Sequence, residues 1–374
     1  MTGGTFGVQN KTGSPDFVLF FAVVALLGIG VVMVYSSSAI SANVNFNDPY
    51  YFLKRQLVWV SLGFVAMLVT MSINYHIWRK LALPILLLTI GLLILVLVPG
   101  LGKVVNGARR WLGFGSLYLQ PSEIAKLAMV LFFSHSMVRV QDKITLFFRG
   151  LLPQLGLLLV VFGLILKEPD LGTALVIGGT TYVMLFVAGA KLSHLLGLVA
   201  SGVVAVIGAI VAEPYRMRRL LAFSDPWADP LNAGYHIIQS LYALGSGGLF
   251  GVGLGRSREK FLYLPEPHTD FIFAILGEEL GLLGTVTVLV LFFMLAWRGF
   301  RIALSAPDLY GSMLAAGLTT VVILQALLNV AVVTASMPVT GIPLPFISFG
   351  GSALIFTLAG IGILLNISRY ILFR

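Results

Sequence analysis

Long apolar runs alternate with short polar, glycine-rich or proline-rich breaks along the whole chain. Ten of these runs are long enough to cross a bilayer, at 17–39, 55–73, 81–98, 121–138, 150–166, 172–189, 193–212, 269–297, 311–334 and 350–368. A segment in lipid must satisfy its own backbone hydrogen bonds, so each run is predicted to be a helix. The residue-by-residue alternation of a transmembrane barrel is absent. The pattern predicts an all-α polytopic integral membrane protein with about ten transmembrane helices. One connection, residues 213–268 between spans seven and eight, is too long for a simple link. It is read as one large extracytoplasmic loop. No internal repeat, low-complexity tract or soluble domain interrupts the pattern, so residues 1–374 form a single membrane domain. The first run, Phe17 to Tyr35, exceeds the core of a secretory signal and no convincing cleavage site follows it, which predicts a retained helix.

Composition agrees with this reading. The 374 residues are 58% hydrophobic and 10% charged, against roughly a quarter charged in a soluble domain. The net charge of +9 suits anionic headgroups better than nucleic acid. There is no cysteine, and His76, His135, His194, His236 and His268 are scattered, so no metal motif is readable. An even span count puts both termini on one side. That side has short loops holding Arg79 and Lys80, Arg139, Lys143 and Arg149, Lys191, and Arg298 and Arg301. Short cationic loops face the cytoplasm, so both termini are expected there. The opposite side carries charges of both signs, as a working surface would.

Six constellations carry candidate chemistry. Arg109, Arg110 and Trp111 in Gly107–Gly113 suit a bidentate phosphate clamp beside an indole, or an interfacial anchor. Glu123 and Lys126, three apart at a proline-started helix, either neutralise each other or line a polar cavity. Lys167, Glu168 and Asp170 share a tight turn with Pro169 and Gly172, as a solvated turn or part of a site. The long loop holds Arg216, Arg218 and Arg219, then the glycine run Gly245–Gly255, followed by Arg256, Arg258 and Lys260. Those glycines serve either close backbone approach to an anion or hinges, and the Walker ending is missing. Asp270 sits where this loop enters the eighth span, a costly place for a carboxylate without a partner or a task. Downstream, Glu278 lies about 80° from it on a helical wheel and Glu279 on the opposite side, so the two glutamates have different partners. The expectation for Glu279 is a structural ion pair. Finally, Met337–Ser352 is too rich in proline and glycine to be helical, and irregular backbone at membrane depth needs cover from protein or water. It is expected to be a re-entrant loop beside a cavity.

These blocks, in this order, resemble the SEDS family (shape, elongation, division and sporulation), nearest its FtsW/SpoVE branch. The resemblance runs from Val34-Tyr35-Ser36-Ser37 to Asn366-Ile367-Ser368-Arg369-Tyr370 and is most specific over Gln239–Gly281 and Pro338–Ser352. It implies a peptidoglycan glycosyltransferase that polymerises lipid II at the outer face of the bacterial cytoplasmic membrane. Inversion at the donor anomeric carbon would release undecaprenyl diphosphate, in division or sporulation. An aspartate at the position of Asp270, within Glu266-Pro267-His268-Thr269-Asp270-Phe271, is implied to be catalytic. Arg109, Trp111, Glu123, Lys126 and Arg216 are implied around the substrate cavity. Arg110, Lys167, Asp170, Arg218, Arg219, His268 and Ser348 complete the expected substrate-binding set. Relatives commonly carry glutamine where this chain has Glu168. Implied partners are lipid II, the nascent lipid-linked glycan, membrane lipids and a single-span class B penicillin-binding transpeptidase. No cofactor is certain, and Mg²⁺ or Mn²⁺ dependence stays open. The rival readings are a transporter of a lipid-linked precursor (a lipid II flippase) and a non-catalytic cell-wall scaffold.

Overall fold

A computed structural model of the chain describes residues 13–105, 108–114, 117–261 and 263–371. Twelve helices account for most of it: α1 Phe17–Phe46, α2 Tyr51–Ser72, α3 His76–Leu97, α4 Pro121–Arg139, α5 Leu152–Lys167, α6 Leu171–Val187, α7 Leu192–Val211, α8 Pro214–Ser224, α9 Tyr235–Gly247, α10 Ile272–Ser305, α11 Leu309–Val333 and α12 Gly351–Ser368. Eight are long and apolar enough to span a membrane: α1, α2, α3, α5 (counted from Phe147), α7, α10, α11 and α12. The other two expected spans are also helices. The 17-residue α6 is apolar but short. The 19-residue α4 is diluted by Glu123, Lys126 and Arg139. The chain is therefore a multi-pass membrane protein whose spans are all helical.

The long apolar runs form helices, as a bilayer requires, and α11 and α12 form the centre. Seventy-two per cent of the apolar window of α12 is buried against the other helices, compared with 6% in α7. In lipid such exposure carries no hydrophobic cost, so α7 needs few protein neighbours. Both ends of the described chain meet at one face. Asp16 caps α1 by accepting from Leu19 N, receives a 2.7 Å bond from Arg298 Nε, and donates its own N–H to Ser368 Oγ. Tyr75 and His76 bond Asp308 at the same face, each at 2.7 Å.

The opposite end is built from the long connections. A small antiparallel sheet, absent from the all-helical expectation, links α3 to α4: β1 Gly102–Val105, β2 Ala108–Phe114 and β3 Leu117–Leu119, in that order. Its strands are too short to announce themselves by alternation. Lys103 pairs with Trp111 and Val104 with Arg109, so Arg110 is the extra residue of a β-bulge. The 213–268 region contains α8 and α9. The glycine run after α9 pairs with α10. Val252 and Gly253 donate to the carbonyls of Glu278 and Glu279, and Leu282 and Leu283 donate to those of Gly248 and Leu249. This ladder breaks α10 at Gly281, whose φ is +66°. A Cβ there would collide with the backbone of Gly251 and Leu249. The break also explains the fate of the two acids. Glu279 pairs with Lys260 at 2.8 Å and accepts from Ser36 of α1, as its expected ion pair requires. Glu278 accepts from Ser257 Oγ and Arg258 N. Both fasten the glycine loop to the bundle.

Candidate active site

A cavity of about 1980 Å³ opens at the end of the bundle away from the termini. Its walls come from α2, the sheet, the α5–α6 turn, α8, the segment entering α10 and the irregular stretch before α12. Eight Lys or Arg residues line it (Lys54, Arg55, Lys103, Arg110, Lys167, Arg216, Arg219, Lys260) against five acids (Glu123, Asp170, Glu213, Glu266, Asp270). The cavity thus has a cationic excess suited to an anionic ligand.

Asp270 lies on this wall, on non-helical backbone just before α10 begins at Ile272. The helical-wheel angle drawn from Asp270 to Glu278 therefore does not apply. Neither carboxylate oxygen receives a hydrogen bond among the described residues. Gly341, with φ +74°, passes so close that a Cβ on it would sit 3.5 Å from Asp270 Oδ2. Desolvation by the surrounding protein lifts the Asp270 carboxyl from 3.8 to about 6, Glu266 adds to this, and the guanidinium groups of Arg219 and Arg110 offset part of it. A carboxylate at this value is mostly ionised at neutral pH and basic enough to take a proton.

Local structure decides which arginines reach it. On α8, Arg216 and Arg219 are three apart and share the cavity face, whereas Arg218 is roughly 200° from Arg216 and points outward, exposed. Arg216 donates to Ala209 O at 2.8 Å. Arg219 donates to Val339 O at 2.8 Å and lies over the Tyr215 ring. The bulge in β2 separates the other pair. Arg110 faces the cavity and donates to the carbonyls of Glu168 and Pro169. Arg109 turns away and donates to Leu97 O at 3.1 Å. Bulges commonly re-aim a side chain in this way.

The remaining expected residues divide similarly. Trp111, Lys167, Asp170 and His268 line the cavity. Asp170 caps α6 through Thr173 and also accepts from Gln120 Nε2. His268 packs against Phe52 and Phe349, and burial pushes its imidazole down to about 4, so it is neutral at pH 7. Glu123 reaches the wall while Lys126 sits behind it, 2.8 Å away, bonded to Gln325 of α11. Ser348 does not line the cavity: its hydroxyl donates to Thr269 O at 2.6 Å and accepts from Leu344 N. Glu168 is wholly buried and neither oxygen has a hydrogen-bond partner among the described residues. Burial and the neighbouring Asp170 raise its carboxyl to about 9. A neutral carboxyl has the shape of a glutamine amide, which reconciles Glu168 with the glutamine expected there. Gly107 of the first constellation lies outside the described residues.

Lys54, Arg55, Lys103, Tyr118, Tyr215, Glu266 and Gly341 also line the cavity, beyond the set expected from the sequence. The only signal for the cations was their shared side of the membrane. Among the described residues no three His, Asp or Glu side chains converge. These residues alone do not form a protein cage for Mg²⁺ or Mn²⁺.

Residues 17–371 match the model of a family described as "Cell cycle protein" that groups FtsW, RodA and SpoVE. The chain is 49% identical over 363 residues to stage V sporulation protein E of Bacillus subtilis, covering 97% of this chain and 99% of that protein. It is 47% identical to the probable peptidoglycan glycosyltransferase FtsW of Trichlorobacter lovleyi, covering 94% and 93%. The rod shape determining protein RodA of Thermus thermophilus is structurally similar, with a TM-score of 0.69, 33% identity and coverage of 95% and 97%. A chain from work on coordination of polymerization and crosslinking by a peptidoglycan synthase complex superposes with a TM-score of 0.78 at 33% identity, covering 95% and 98%.

Proposed function

The chain belongs to the FtsW/RodA/SpoVE family, and from that premise we propose that it is a peptidoglycan glycosyltransferase using Asp270 as its base. The observation that carries the mechanism is an unbonded carboxylate, lifted to about 6, on the wall of a large cationic cavity. The substrate class is a lipid-linked glycan diphosphate, lipid II, used as donor and acceptor in division or sporulation. Asp270 removes the proton of the acceptor sugar's 4-hydroxyl as that oxygen attacks the donor's anomeric carbon. The bond to the diphosphate breaks on the opposite side, so the configuration inverts from α to β. Undecaprenyl diphosphate leaves with the electron pair. Arg110, Arg216, Arg219 and Lys167 face the cavity and are placed to hold the departing charge. Diphosphate is a good leaving group, so a single base with cationic support suffices. Trp111 offers a flat apolar surface to a sugar ring, and neutral His268 offers a ring nitrogen as a hydrogen-bond partner. Lipid tails lie beside the helices.

The cavity then faces the outside of the bacterial cytoplasmic membrane and both termini face the cytoplasm. The cationic loops at the termini's end support this orientation. A class B penicillin-binding transpeptidase is the proposed partner, supported by the structural similarity to a chain of a peptidoglycan synthase complex.

Labelled lipid II added to the purified protein in detergent tests the reading. Long glycan from the wild type and none from Asp270→Asn is the expected result. Glycan from Asp270→Asn removes Asp270 from the mechanism. No glycan from the wild type, alone or with its transpeptidase, refutes the activity.

A further inference from the structure

The segment that carries Asp270 is not helical, yet three consecutive carbonyls in it are captured from outside. Phe349 N donates to His268 O at 2.9 Å. Ser348 Oγ donates to Thr269 O at 2.6 Å. Asn329 Nδ2, on α11, donates to Asp270 O at 2.8 Å. The same amide nitrogen donates to Ile342 O at 2.7 Å. Ile342 adjoins Gly341, the residue against which Asp270 Oδ2 rests. Asn329 is 1% exposed and does not line the cavity, so it touches no substrate.

We infer that Asn329 is a positioning residue that fixes the catalytic carboxylate against the Gly341 wall. Its nitrogen carries two protons and each goes to one side of the Asp270 pocket. Asp270's own carbonyl is on one side and the Ile342 carbonyl on the other. One turn earlier on α11, Gln325 repeats the device, donating to Pro343 O at 2.9 Å while accepting from Lys126. Through Gln325, the Glu123–Lys126 pair is therefore tied to the irregular stretch that forms the Gly341 wall. Two polar residues four apart on one helix face give a rigid element two grips on an irregular loop. Such a loop has no ladder of its own to hold it. The inference rests on Asp270 being the base proposed above.

Asn329→Leu keeps most of the volume and removes both donations. The expected result is a fall in kcat on the order of 10²-fold, as displacement of a reacting group by about 1 Å produces. KM for lipid II should stay within about twofold, since no cavity contact is lost. Ser348→Ala, which frees the adjacent carbonyl, should lower kcat in the same selective way. The double variant should lose less than the product of the two. Thermal unfolding in detergent identifies variants that fail to fold, and if Asn329→Leu does, Ser348→Ala carries the test. Wild-type kcat in the folded variants, or a raised KM with unchanged kcat, overturns the inference. In that outcome a wild type that polymerises and an inactive Asp270→Asn still leave the proposed function standing.

Discussion

Asp270→Asn should do two opposite things, abolishing polymerisation and stabilising the fold. The carboxyl is lifted from 3.8 to about 6 because ionising it inside the protein is costly, and Glu266 adds to that cost. A group whose folded value is raised is fully tolerated below its unfolded value. Its penalty then grows as pH climbs from about 4 to about 6 and stays constant above that. The difference between the two values corresponds to at most roughly 3 kcal/mol at neutral pH, and less in practice because the carboxylate borders an open cavity. Asparagine has the same shape and no charge, so it escapes the penalty. Thermal unfolding of both proteins should be followed in detergent at pH 7.5 and near pH 4.5. The variant should unfold several degrees higher at pH 7.5, and the gap should shrink at the acid end. An asparagine variant of equal or lower stability at pH 7.5, or a gap independent of pH, would show that the carboxylate is not held at a cost. The same value predicts that kcat/KM of the wild type rises through about pH 6.

Arg219→Gln should move that rise to higher pH, because Arg219 favours the ionised form of Asp270; pH–rate profiles read the direction, and an unmoved limb separates the two groups. Lys260→Met leaves the buried Glu279 without its cation and should cost about 3–5 kcal/mol in thermal or denaturant unfolding. Adding Glu279→Gln should recover part of that loss. Glu168→Gln should retain polymerisation, since Glu168 is raised to about 9 and already neutral at pH 7. Its stability advantage over the wild type should grow as pH rises from about 4.5 toward 9. Loss of activity in a folded Glu168→Gln would mean that the acidic proton is used.

The spans were legible because a bilayer leaves little choice: an apolar run of sufficient length must be helical. The site was legible residue by residue but not as a geometry. Arg109 and Arg110 are adjacent and chemically alike, and only the bulge opposite Lys103 and Val104 sends one to the cavity and the other to Leu97. The start of the eighth span was expected at 269 and occurs at Ile272. The apolar pattern continues through that boundary. What stops the helix is distant, the capture of the 268–270 carbonyls by Phe349, Ser348 and Asn329. The break at Gly281 was hidden for the same reason. A lone glycine in a long apolar run reads as tolerated, and its left-handed φ follows from pairing with residues some thirty positions upstream.

The acids near the cavity show how partners separate structure from chemistry. Glu279 has Lys260 and Ser36, Glu278 has Ser257 and the Arg258 amide, Asp170 has Thr173 and Gln120, and Glu123 has Lys126. Each of these charges is compensated in place, which is what a buried carboxylate needs if its task is to hold the fold. Glu168 has no hydrogen-bond partner among the described residues and is instead neutral. Asp270 alone among these combines a cavity face, no hydrogen bond to its carboxylate and a value near 6. The surroundings invest in its backbone rather than its charge: three carbonyls are fixed while the oxygens are left bare. That is the arrangement a base requires, because a carboxylate already saturated with donors is a poor acceptor for a substrate proton, and one on a loose loop cannot meet it.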